Sequence, residues 1–116
     1  MTPNGGQLGG AVSRLDFTKT WRGELEATGL GVLLSCGDPS TEEAGYVAIE
    51  TVDGRLRDLE GGFAFQQSAF MHGGSQTLRY EVAPGSGCGA LEGMTGTLQL
   101  NIDEDGTHRY ELDYDL

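Results

Sequence analysis

Apolar and polar side chains alternate with a period of two along most of the chain, and turn residues interrupt the alternation at short intervals. The last segment is the clearest: His108, Tyr110, Leu112, Tyr114 and Leu116 share one face, and Arg109, Glu111, Asp113 and Asp115 the other. Leu98, Leu100 and Ile102 repeat the pattern just before it, as do Leu78, Tyr80 and Val82, and Phe63, Phe65, Gln67, Ala69 and Met71. From Tyr46 to Val52 both alternating sets hold apolar side chains, which predicts a strand covered on both sides. Near the front, Leu15, Phe17, Lys19 and Trp21 share a face. Gly23 then bends the strand before Glu24 to Thr28 continue it. Turns are expected at Gly37-Asp38-Pro39-Ser40, Asp53-Gly54, Gly61-Gly62, Gly73-Gly74, Pro84-Gly85-Ser86-Gly87 and Asp105-Gly106. No long window carries a helical stripe free of turn residues.

The expectation is therefore an all-β chain of seven or eight antiparallel strands with essentially no helix. Such strands, each with one apolar face, form a sandwich or a closed barrel. Glycine makes up 20 of 116 residues and large apolar residues are scarce. That favours a small barrel, which removes sheet edges and is lined by few side chains. Residues 1–12, rich in glycine, are read as a flexible segment and residues 13–116 as one domain.

Charge narrows the partners. A formal net charge of −11 at pH 7 repels a phosphate backbone and an anionic lipid surface, so neither nucleic acid nor membrane is expected. No apolar run reaches membrane-spanning length and the front has no basic, apolar leader, so the cytoplasm is the default location. Cys36 and Cys88 form no metal or redox motif, and are read first as two buried free thiols and second as one disulfide.

Neither a metal nor a cofactor is expected. His72 and His108 lack ligand spacing, and Asp103-Glu104-Asp105 reads as a solvated acidic turn. The glycines of Gly85–Gly89 have no following helix to complete a phosphate loop. More informative are polar residues that share a face with apolar ones: Lys19 with Phe17 and Trp21, Glu50 with Tyr46 and Ala48, and Gln67 with Phe63 and Phe65. A buried carboxylate or amide needs partners. One reading is a structural Lys19–Glu50 pair, or a Glu50 facing water. The other sets Glu50 and Gln67 around a ligand cavity with Tyr46, Tyr80, Tyr110 and Tyr114.

Several segments in order carry a resemblance. They are Phe17-Thr18-Lys19-Thr20-Trp21 with Gly23-Glu24-Leu25-Glu26, then Tyr46-Val47-Ala48-Ile49-Glu50, Gly62-Phe63-Ala64-Phe65-Gln66-Gln67-Ser68, the stretch Val82 to Thr97, and the ending Tyr110 to Leu116. In these the chain resembles a bacterial family known as domain-of-unknown-function family 3224. The resemblance implies a barrel similar to allene oxide cyclase and dirigent proteins, which cyclise or steer reactive hydrophobic intermediates. It also implies a longer front with a first strand that this sequence lacks. Gln67 stands where the family commonly has His, and Cys88 where Thr is usual.

The expected function is thus a small-molecule-binding barrel for a hydrophobic molecule, with a cofactor-independent cyclase or isomerase acting as an entropy trap as its catalytic form. Glu50 is the expected base or polar anchor and Gln67 a hydrogen-bond donor. Lys19, Trp21, Tyr46, Phe63, Phe65, Tyr80, Tyr110 and Tyr114 are the expected ligand-binding wall. The alternative is a non-catalytic carrier or interaction module with a filled barrel. A homodimer meeting near the gap left by the first strand, anchored by Trp21, is expected to cover the open edges.

Overall fold

The alternation becomes eight antiparallel strands in a computed structural model that describes residues 12–102, 104–106 and 108–116. The strands are β1 (Val12–Trp21), β2 (Leu25–Asp38), β3 (Glu43–Leu56), β4 (Leu59–His72), β5 (Ser75–Val82), β6 (Cys88–Gly89), β7 (Thr95–Ile102) and β8 (His108–Asp115). A three-residue 3-10 turn, Pro39–Thr41, is the one helical element among the described residues. The sheet order is β1-β2-β3-β4-β5-β7-β8, with the short β6 paired to β4. The glycine-rich segment 1–12 lies outside the described residues except for Val12, which opens β1.

Two expected turns fall inside strands. Asp53-Gly54 belongs to β3 and Gly61-Gly62 to β4, and the chain reverses instead at Arg57, which has φ +56°. These glycines serve close approach: a Cβ at Gly54 would lie 2.3 Å from the Glu26 carbonyl oxygen, and one at Gly61 2.2 Å from that of Cys88. Local sequence cannot separate this use of glycine from its use in turns.

Parity assigns the faces. Trp21, Leu25, Val52, Leu56, Phe63, Phe65, Tyr80 and Leu98 point to one side and form the core, with Leu91 and Met94 of the β6–β7 connection plugging one end. The opposite side of the sheet centre is bare. Val47 is 54% and Ile49 48% exposed, so β3 is covered on one face and not on two. Cys36 and Cys88 are free thiols but exposed, not buried. Leu116 is likewise exposed rather than inward.

No ladder joins β8 to β1 among the described residues. The two edges meet through a side chain: the Tyr110 hydroxyl of β8 donates to the Arg22 carbonyl (2.7 Å) and accepts from the Leu25 N–H (3.2 Å), at the bend that Gly23 makes between β1 and β2. The Tyr110 ring stands edge-on to Trp21, 5.2 Å between centroids. The radius of gyration is 15.9 Å, above the roughly 13 Å of a compact domain of ~100 residues. Strands β2–β4, 14 residues each, run on beyond the core.

Candidate functional site

The extended ends of β2–β5 enclose a cleft of about 520 Å³, walled by Leu33 and Cys36 of β2, Ala69 and Met71 of β4 and Leu78 of β5, with Tyr46 of β3 beside them. Leu33, Tyr46, Ala69, Met71 and Leu78 continue the inward parity of these strands past the core, while Cys36 and Phe70, which also line the cleft, have the outward parity. Tyr46 is half-buried and its hydroxyl donates to Gln67 Oε1 at 3.1 Å. Burial pushes the Tyr46 hydroxyl above its ordinary pKa.

Glu50 lies deeper and has no exposed surface. Trp21 Nε1 donates to Glu50 Oε2 at 2.7 Å, and the Tyr80 hydroxyl donates to Oε1 at 3.3 Å. Phe65 packs against both donors, with ring centroids 5.3 Å from Trp21 and 4.9 Å from Tyr80. Two glycines of β2 leave the space. A Cβ on Gly29 would lie 2.0 Å from Glu50 Oε2, and one on Gly31 2.1 Å from the Phe17 ring. Burial raises the Tyr80 hydroxyl far above its ordinary range, and the Glu50 charge, its hydrogen bond and nearby Tyr46 add to the effect. Tyr80 therefore stays protonated and donates.

Several expected residues meet here: Trp21, Glu50, Phe65 and Tyr80 share one buried cluster, and Phe63 joins it through Phe65 at 4.9 Å. Lys19 approaches the cluster, but not through an ion pair with Glu50. Its ammonium sits 4.2 Å from the centroid of the Trp21 ring and 5.8 Å from that of Tyr80. Tyr46 and Gln67 form a second pair, nearer the cleft. Tyr110 and Tyr114 pack against the core from β8 and do not line the cleft. The lining residues Leu33 and Cys36 were not expected. Ala69, Met71 and Leu78 had the right parity, and their position beyond the aromatic cluster was the available signal.

The rim of the same end is tied by Glu43. Its Oε1 is 2.8 Å from His72 Nδ1, and its Oε2 accepts from the Gly73 N–H at 2.9 Å. The His72 hydrogen bond, with that of Gly73 second, holds the Glu43 carboxyl below its ordinary pKa. The contribution to stability is present above the unfolded carboxyl value and is lost as pH falls through the lowered folded value. In an NMR titration Glu43 should protonate below the ordinary carboxylate range, and His72→Ala should move it up. An unchanged titration in that variant would remove His72 as the cause.

Comparison with known proteins agrees with this fold. No curated protein matches the chain significantly. A crystal structure of a protein with unknown function from the DUF3224 family of Shewanella oneidensis MR-1 is 40% identical, with a TM-score of 0.82 over 90% of this chain and 77% of that one. The family model described as a protein of unknown function (DUF3224) matches residues 2–114. On that match, across nearly the whole sequence, the chain belongs to the DUF3224 family.

Proposed function

We propose that the protein binds a small, largely hydrophobic molecule in the cleft at the end of β2–β5. The observation that carries this reading is the cleft itself. Its volume of about 520 Å³ falls within the range of roughly 300–1,000 Å³ that holds small ligands. Its walls are mostly apolar, and Ser35, Tyr46, Gln76 and Thr77 add polar groups. The sheet then acts as a barrel-like cup, solid at the Trp21–Glu50 end and open at the other, with the Tyr110 contact standing in for a closing ladder.

A second reading, a cyclase or isomerase without a cofactor, draws on the tyrosines. Both Tyr46, at the cleft, and Tyr80, in the buried cluster behind it, hold their protons above the ordinary range, so they act as hydrogen-bond donors and not as bases. Such a site would act by restraining a flexible chain in one conformation and polarising it at Tyr46. Glu50 has no surface to offer a ligand. In this reading it is the polar anchor that positions Tyr80, not the base.

Nile red fluorescence tests the binding reading. Wild-type protein should bind the dye saturably, and Ala69→Trp, which fills the cleft, should abolish saturation while leaving the melting transition cooperative. Absence of saturable binding, or binding undiminished in Ala69→Trp, would overturn it.

A further inference from the structure

The outer face of β2–β4 is unusually apolar. Leu30, Val32 and Leu34 of β2, Val47 and Ile49 of β3 and Phe70 of β4 are each between 38% and 58% exposed. Register makes them contiguous, since Leu34 pairs with Val47, Val32 with Ile49, and Phe70 lies opposite Gly45. Together the six offer bare apolar area on the order of 500 Å², against the roughly 800 Å² per partner of a stable interface including its polar rim.

The rim identifies the occupant. The row through Leu34 and Val47 ends in Arg14 on β1 and, through Ser68, in Arg79 on β5. The next row, through Val32 and Ile49, ends in Asp16 on β1 and, through Gln66, in Glu81 on β5. Within the chain these form two neutral pairs, Arg14–Asp16 at 2.8 Å and Arg79–Glu81 at 3.3 Å. In these two rows the charges cancel, although the chain carries a net charge of −11 and the same outward face holds Asp53, Glu43 and Asp38 nearer the strand ends.

We propose that two copies of the chain pack these faces together, forming a sandwich across the subunit boundary. A two-fold axis lying across the strands, between the two rows, is the arrangement these four side chains select. It sets each Arg14 against the second copy's Asp16 and each Arg79 against the second copy's Glu81, with Leu34 and Val47 over the second copy's Val32 and Ile49. A two-fold axis along the strands instead brings Arg14 onto the second copy's Arg79, like charge on like. An isologous interface of this kind is closed and self-limiting. It leaves the strand edges free and borders the cleft at Phe70, which belongs to both.

Sedimentation equilibrium of the full chain tests it. Wild type should reach twice the monomer mass of 12.3 kDa at micromolar concentration. Ile49→Lys and, separately, Phe70→Ser should run as folded monomers, with circular dichroism unchanged. Arg14→Asp should raise the dimer Kd at least about tenfold, and adding Asp16→Arg should restore it, because the exchanged charges meet again across the axis. A monomer mass throughout, a dimer that survives Ile49→Lys by pairing at a strand edge, or a charge exchange that restores nothing would each overturn the proposal.

Discussion

Replacing Trp21 with phenylalanine should destabilise the protein by about 3 kcal/mol, mostly through Glu50. The indole N–H makes the shorter of two hydrogen bonds to a carboxylate with no access to water. A hydrogen bond to a charged group contributes roughly 1.5–3 kcal/mol, and leaving a buried charge short of a donor adds its desolvation cost. The lost ring volume beside Phe65 and Tyr110 adds to this. Urea denaturation of a double-mutant cycle separates the causes. In a Glu50→Ala background the same Trp21→Phe change should cost at least about 1.5 kcal/mol less. Equal losses in the two backgrounds would show that Trp21 acts through packing alone.

Gly29→Ala should also cost about 3 kcal/mol, although alanine ordinarily suits a strand better than glycine. Its Cβ would lie 2.0 Å from Oε2, 2.9 Å from Cδ and 3.1 Å from Cγ of Glu50. Glu50 cannot swing aside without giving up Trp21 and Tyr80, and Phe65 closes the remaining space. Overpacking of this kind costs roughly 1–3 kcal/mol before the broken hydrogen bonds are added. Gly31→Ala is the control. Its Cβ meets the Phe17 ring just as closely, at 2.1 Å, but Phe17 is only half-buried at the β1 edge and has room to turn. Its loss should therefore be clearly smaller, and thermal melts giving equal losses would contradict the view that Glu50 is the immovable partner.

These two residues show why the site was only partly legible. The parity of β3 put Glu50 on the same face as Tyr46 and Ala48, and a carboxylate on an apolar face announced that it needed partners. Which partners it found was not a local property. Lys19 was the nearest cation by parity, yet its ammonium lies over the Trp21 ring while the indole and Tyr80 take the carboxylate. That choice depends on how strands 30 residues apart align in register. Gly29 and Gly31 carried no readable signal in the chain. Their purpose appears only when the side chains of β3 and β1 are laid across them.

By itself the sequence determined the all-β class, the antiparallel strands and which side chains share a side of a strand, because a period of two with interspersed turns leaves few other solutions. The tertiary structure decided how far each strand extends past the core, and so where a cleft opens. It turned Gly54 and Gly61 from turn residues into points of close strand approach. It also left Val47 and Ile49 on a bare outer face, although both faces of β3 read as apolar. Alternation reports which side chains share a side of a sheet. What covers that side is settled by contacts between distant segments, or between chains, which no local pattern encodes.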